Sequence, residues 1–360
     1  MKAAVLHQVG DSKLDVRDDV APVPPGPTDV RVRIRATGVC HSDLSAMRGT
    51  LPQSLPAVLG HEGAGEIVEV GEAVTGLSIG DHVIVCWLPA CGHCRYCIGG
   101  QPYLCMHYVV QAFTTPNFLI GGDTPAFGMA GTGTFGEEVT LPQVGAIKIE
   151  PDVPFDVAAL LGCGVMTGVG AAINAARVEP GSSVVVVGCG GVGISVIQGA
   201  RIAGAAEILA VDTADSKLAW AKEFGATASV RPEDLPQAIQ EITAGEGFDY
   251  GFEVVGRSAT IRSVYDATRR GGTVIVVGAG ATDDFVQFNA FELLFSEKTI
   301  RGSLYGSSNI RRDCQRLIGL WRTGRLDLER MITRRITLDE VNDAFEAMEA
   351  GTVIRQVIAF

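Results

Sequence analysis

The chain has 360 residues, 47% of them apolar and 19% charged, with 41 acidic against 29 basic side chains and a formal net charge of −12. Such acidity disfavours nonspecific binding of nucleic acid, and the most apolar stretches are broken by Gly, Arg201 and Glu207, so none reads as a membrane span. The length exceeds the ~250–300 residues at which a single core usually divides, so two domains are expected.

The opening MKAAVLHQVG lacks the apolar run of a secretory leader, and nine cysteines is an odd number. Both point to reduced thiols in the cytoplasm, where clustered cysteines signal metal or catalysis rather than disulfides. All six histidines (His7, His41, His61, His82, His93 and His107) and seven of the nine cysteines precede residue 164. Metal chemistry therefore belongs to the N-terminal part.

From residue 1 to about 141 the signals are short alternating segments at 30–36, 65–70 and 82–86, separated by Pro and Gly clusters such as 22–27. That predicts an irregular β-rich domain. The first of these strands runs into Gly38-Val39-Cys40-His41-Ser42-Asp43; Gly60-His61-Glu62 follows, and Leu161-Gly162-Cys163-Gly164 stands far downstream. Cys40, His61 and Cys163 supply the two thiolates and one imidazole that catalytic zinc can use while a fourth position stays open. Ligands 21 and 102 residues apart carry no motif logic, so on spacing alone the trio is equally two buried thiols and a core histidine.

Cys91-x2-Cys94-x2-Cys97-x7-Cys105 is the most specific pattern in the sequence. Four thiolates in fifteen residues, with turn-forming Gly92, Gly99 and Gly100, can close a tetrahedral structural zinc site. An iron–sulfur cluster or unligated thiols are the rival readings of the same soft donor set. His93 and His107 are read as surface or supporting side chains, because four cysteines already saturate zinc. Cys86, Cys189 and Cys314 read as small core residues.

From about residue 151 apolar strands at 184–187, 207–211, 226–230, 248–254, 272–277 and 299–304 alternate with helical segments, which predicts a doubly wound parallel sheet. The first strand stops at Gly188. Gly188-Cys189-Gly190-Gly191-Val192-Gly193 then satisfies G-x-G-x-x-G at a strand-to-helix turn, the context of a dinucleotide site. The first glycine permits the turn, the second lets backbone approach a pyrophosphate and the third lets helix and strand pack closely. Nineteen residues past Gly193, at the end of the next strand, Asp212 can accept a ribose 2′-hydroxyl and repel a 2′-phosphate, which selects NAD. Beyond Tyr305 the rhythm changes: residues 308–322 read as a helix, 331–336 as extended, and Thr337-Leu338-Asp339-Glu340 as a capping box opening a helix that ends at Gly351. The final segment, 352–360, is expected to rejoin the first domain. The expected division is 1–164, 165–304 and 305–360.

Taken in order, Gly-Val-Cys-His-Ser-Asp at 38–43, Gly-His-Glu at 60–62, the four-cysteine loop, Leu-Gly-Cys-Gly at 161–164, the Gly-rich turn with Asp212, Phe252-Glu-Val-Val-Gly-Arg257 and Ile354-Arg355 resemble the zinc-dependent medium-chain alcohol dehydrogenases nearly end to end. The likeness is strongest to the branch of liver-type alcohol dehydrogenases and thiol-dependent formaldehyde dehydrogenases, which share a long segment matching residues 106–134. The resemblance implies a GroES-like β-rich catalytic domain interrupted by a Rossmann domain, two zinc ions per chain, NAD, and a homodimer through the Rossmann edge strand, with a tetramer also possible.

By the same resemblance Cys40, His61 and Cys163 hold catalytic zinc, Ser42 takes the alcohol proton, Asp43 fixes the His61 tautomer and Glu62 approaches the metal. His41 and Arg355 match phosphate-contacting positions, Lys217 an adenosine-ribose partner, and Trp87, Val110 and Leu304 the walls of the substrate pocket. Ser45 stands where some relatives carry the histidine that passes the proton to solvent, so the relay lacks its usual exit. The function implied is oxidation of a primary alcohol with an apolar or aromatic body to the aldehyde. The alternative is a formaldehyde dehydrogenase acting on a glutathione or mycothiol adduct, for which Arg95 offers one cation. From another class, the chain could be a nonenzymatic NAD-binding or zinc-stabilised partner protein; the joint presence of Cys40, Ser42, His61 and Cys163 argues against it. The partner expected is a small alcohol or aldehyde, with neither nucleic acid nor membrane.

Overall fold

Strand Asp29–Val39 alternates buried and more exposed residues from Asp29 to Ala36, then is buried on both faces from Ala36 to Val39. The alternation follows from the sequence. Val30, Val32 and Ile34 face a core, while Arg31, Arg33 and Arg35 pair across the sheet with Glu69, Glu138 and Glu66. The doubly buried end carries the chain to the first metal-ligand candidate.

The computed structural model describes residues 1–360 and forms two units. The first comprises Met1–Gly164, Asn309–Trp321 and Leu328–Phe360. Its seven-stranded sheet runs Ala146–Lys148, His82–Val85, Glu62–Val70, Asp29–Val39, Arg355–Ala359, Ile332–Ile336, with Glu138–Pro142 also paired to Asp29–Val39. A six-stranded sheet, from Asp15–Arg17 through Ala3–Leu6 to Val20–Pro22, completes the β-rich body. Val5, Val20, Val32, Ile34, Val58, Ile67, Val85 and Phe118 form the core cluster they share. Each such side chain contributes about 1.5–3 kcal/mol by leaving water. The last strand lies antiparallel to Asp29–Val39, with Gln356 opposite Val39 and Ala359 opposite Ala36, so the chain does return to its first sheet.

The second unit, Val165–Ser308 with Arg322–Asp327, holds a six-stranded parallel sheet. Its order is Ala228–Val230, Glu207–Val211, Ser183–Val187, Phe248–Glu253, Thr268–Val276, Thr299–Gly302. Val184 to Val187 are at most 6% exposed, as a β-branched run between helical layers requires. This compact unit runs on to Ser308. The turn Leu304–Ser307 is held by Asn174, whose Nδ2 donates to Gly306 O and Ser308 Oγ. Arg322–Asp327 belongs here too, because Arg201 donates to Arg325 O and Gln198 exchanges two bonds with the Asp327 backbone. These are contacts between distant positions, without a local sequence signal. Helices Ile310–Arg322 and Val341–Glu349 lie in the expected stretches, and Thr337 and Glu340 form the capping box. No single helix is long and apolar enough to cross a membrane.

Candidate active site and metal centres

Cys40 is the N-cap of helix His41–Met47, in extended conformation at φ −124°. Asp43, in the first turn of that helix, folds back so that its Oδ2 accepts the Cys40 N–H at 3.0 Å. Its Oδ1 accepts the Gly60 N–H at 3.0 Å and faces His61 Nδ1 at 3.2 Å. A carboxylate oxygen only accepts, so Nδ1 carries the imidazole proton and Nε2 keeps a lone pair. Gly60 makes this possible: it has φ +87°, and a Cβ there would run into Phe135.

The ligand atoms of Cys40, His61, Glu62 and Cys163 lie within 4.8 Å of one another, and all four residues are buried. His61 Nε2 is buried without a hydrogen-bond partner. Two sulfurs and an aimed imidazole lone pair are the donor set that suits zinc. The Cys163 sulfur, and against burial also His61 and Arg355, hold the Cys40 thiol well below its ordinary value. Burial opposes a charge on His61, yet the Asp43 carboxylate and the Cys40 sulfur outweigh it and lift the imidazole to about 10. A divalent cation takes the place of the proton that this raised basicity would put on Nε2, and the thiolates balance its charge.

Glu62 is committed on both oxygens. Oε1 accepts the Gly164 N–H at 3.1 Å, and Oε2 pairs with Arg355 Nη2. Arg355, expected at a cofactor phosphate, is only 5% exposed and lies in this ion pair. Glycine is needed at position 38, where a Cβ would overlap the Glu62 carboxylate. Ser42 Oγ lies 3.7 Å from Cys40 Sγ. The Trp87 ring stands edge-on to His61, with centroids 6.4 Å apart. Val110 is 58% exposed on helix His107–Thr114 and Leu304 47% exposed in the second unit, while His41 is exposed at the start of its helix.

The second metal centre is local. Ligand atoms of Cys91, Cys94, Cys97 and Cys105 also lie within 4.8 Å of one another. Gly92 and Gly100, at φ +83° and +77°, give the turns that close the loop. Backbone N–H groups of Cys91 and Cys94 point at Cys105 Sγ and Cys91 Sγ, both at 3.4 Å. The His93 backbone N–H leads in drawing Cys91 down to about 6, whereas burial and the neighbouring sulfurs push Cys97 up to about 12. Sulfurs as unequal in acidity as those of Cys91 and Cys97 become equal thiolates around a cation, which a closed tetrahedral site provides.

In the second unit Gly188 has φ +97°, a Cβ at Gly193 would overlap the Gly188 carbonyl, and the space beside Gly190 is open. The first and third glycines are thus required by the turn itself, and the second leaves room at the N-terminus of helix Gly191–Ala203, beside Val192. Asp212 receives the Cys189 N–H at 2.8 Å on one oxygen and the Ala214 N–H at 3.0 Å on the other. Lys217 lies in helix Asp215–Glu223, partly exposed. Sequence reasoning gave no role to Glu253, fully buried, which accepts the N–H groups of Val255 and Gly256 and the Thr260 hydroxyl. A charged residue ending an apolar parallel strand was the available signal.

Two family models match the chain: "Alcohol dehydrogenase GroES-like domain" over residues 26–151 and "Zinc-binding dehydrogenase" over residues 191–321. An S-(hydroxymethyl)glutathione dehydrogenase of Synechocystis is 37% identical over 370 residues, covering 100% of this chain and 99% of the relative. Among solved structures, an alcohol dehydrogenase zinc-binding domain protein from Burkholderia ambifaria matches with TM-score 0.93 at 34% identity, covering 100% of this chain and 98% of that one. Benzyl alcohol dehydrogenase from Acinetobacter calcoaceticus matches with TM-score 0.90 at 32% identity over 100% and 99%. Buried Cys-His-Cys donors, a closed four-cysteine loop and a dinucleotide turn on these two folds have one reading: the chain belongs to the zinc-dependent medium-chain alcohol dehydrogenase family, NAD-dependent oxidoreductases acting on a hydroxyl or aldehyde substrate.

Proposed function

We propose that the chain oxidises the hydroxymethyl adduct of formaldehyde with a low-molecular-weight thiol, using NAD. The observation that carries this reading is full-length similarity, 36–37% identity, to S-(hydroxymethyl)glutathione dehydrogenases. It is better supported than oxidation of a free apolar alcohol, the expectation drawn from the pocket residues. The apolar reading keeps one specific support, the likeness to benzyl alcohol dehydrogenase together with the Trp87 ring beside His61.

In this proposal residues 1–164 and 305–360 form the catalytic domain and 165–304 the NAD-binding domain, with two zinc ions per chain. Cys40, His61 and Cys163 hold the catalytic ion, and Cys91, Cys94, Cys97 and Cys105 the structural one. Zinc at the first set supplies Lewis acidity that eases loss of the hydroxyl proton. Asp43 fixes the imidazole tautomer, and the Glu62–Arg355 pair braces the wall formed by Gly38 and Gly164. Ser42 Oγ is the group to receive the hydroxyl proton, and NAD, when bound, would supply the hydride acceptor. The Gly188–Gly193 turn would hold the pyrophosphate and Asp212 the adenosine ribose, with Lys217 beside it. Trp87 and Val110 line the substrate side.

A homodimer is supported by exposed Phe291, Leu294 and Phe295 on helix Ala290–Ser296, adjoining edge strand Thr299–Gly302. Nine cysteines outside disulfides suit a reducing cytoplasm. The deciding experiment compares kcat/KM with NAD for formaldehyde plus glutathione, formaldehyde plus mycothiol, benzyl alcohol and hexanol. The proposal expects saturable turnover of a thiol adduct at least tenfold above either alcohol. Equal or faster oxidation of benzyl alcohol or hexanol would overturn it.

A further inference from the structure

The four-cysteine loop uses its sulfurs inward and leaves two imidazoles on its outer surface. His93 stands between Cys91 and Cys94, and His107 opens helix His107–Thr114; both are exposed. Their ring centroids are 5.8 Å apart, with ring planes at 73°. His93 Nδ1 lies 3.0 Å from the Cys91 carbonyl oxygen. A carbonyl only accepts, so Nδ1 carries the proton and Nε2 keeps the lone pair that metal coordination needs.

We propose that His93 and His107 form an external site for a borderline transition-metal cation of the Zn2+ or Ni2+ class, separate from both cysteine-containing sets, with water completing its shell. Imidazole is the ligand such cations favour. The spacing fits. With metal–nitrogen bonds of about 2.0–2.1 Å, each ring centroid lies roughly 3.2 Å from the ion, so two rings at a tetrahedral angle have centroids about 5.2 Å apart. The observed 5.8 Å is closed by a small rotation of exposed side chains. One ligand rides on the loop and the other on the following helix, so an ion held there ties the two together. The backbone bond that sets the His93 tautomer plays the part that outer partners play in ordinary histidine metal sites.

The test is calorimetric titration of the tag-free, zinc-replete full-length protein with Ni2+, beside His93→Gln, His107→Gln and the double variant, with bound zinc measured throughout. Wild type is expected to take one further Ni2+ per chain saturably. Each single variant should weaken this by about tenfold or more, since even outer partners of metal ligands are worth 10–100-fold, and the double variant should abolish it at unchanged zinc content. Unaltered uptake in the double variant, or none in wild type, overturns the proposal. A second measurement needs no variant: bound Ni2+ should protect both histidines of the wild-type protein from diethyl pyrocarbonate, mapped by peptide mass. Equal modification of both with and without Ni2+ also overturns it.

Discussion

Replacing Asp43 with Asn changes one oxygen for an NH2 group in a fully buried position that now receives three N–H donors. Whichever way the amide is turned, its nitrogen faces a donor. Kept with oxygen toward Gly60 and His61, it leaves the Cys40 N–H unmet; flipped, it leaves Gly60 and the imidazole unmet. At least one hydrogen bond to a charged acceptor is therefore lost, worth about 1.5–3 kcal/mol, and a buried donor is stranded. The remaining bonds to a neutral oxygen are weaker, and the imidazole becomes a poorer ligand. Zinc affinity of the Cys40, His61 and Cys163 set should fall by about 10–100-fold. The assay is dialysis against graded chelator with zinc counted per chain, the four-cysteine loop acting as internal control. Wild type should fall from two ions to one only at high chelator, and Asp43→Asn at much lower chelator. If both lose zinc along one curve and melt together, Asp43 does not position His61.

Three further outcomes are expected. Cys97→Ser should remove about one zinc per chain and lower the melting temperature, because binding energy at a closed site is folding energy; unchanged metal and melting would exclude a structural zinc there. Asp212→Gly should narrow or reverse the NAD over NADP preference in kcat/KM, and wild type already preferring NADP would refute the reading of that carboxylate. Asp249 is raised by partial burial, but the Ser183 N–H and the Arg269 guanidinium overcome this and hold it below 3.8. A depressed folded value stabilises above the unfolded one and is lost as pH falls through it, so Asp249→Asn should cost about 1–2 kcal/mol at pH 7 and progressively less below pH 3.8. A gap between wild type and variant that stays constant with acidification would refute this account.

Local chemistry was legible. The Gly188–Gly193 turn, the four-cysteine spacing and the Thr337–Glu340 capping box each bind partners a few residues away, and spacing alone exposes them. The Cys40, His61 and Cys163 set needed family resemblance, because only the folded sheets bring the three together. What stayed hidden was further apart still. Glu62 and Arg355 are separated by 293 positions, and a buried ion pair at that distance leaves no periodicity in the sequence. Gly38 looked like part of a motif. Its reason is the volume of a carboxylate that reaches it from another strand.

The strand Arg355–Ala359 lies inside its sheet, between Asp29–Val39 and Ile332–Ile336, although the whole of Val165–Ser308 separates it along the chain from Asp29–Val39. On the ribosome the middle of the polypeptide, Val165–Ser308, emerges as one uninterrupted run and can collapse onto its own parallel sheet. Until Arg355–Ala359 has been made, the Asp29–Val39 sheet keeps an open strand edge and Glu62 lacks its counterion. The Glu62–Arg355 pair beside the Cys40, His61 and Cys163 cluster forms only once that strand is in place. A nascent chain stalled short of residue 355 should expose that unpaired edge to chaperones and aggregation, however soundly its dinucleotide half has folded.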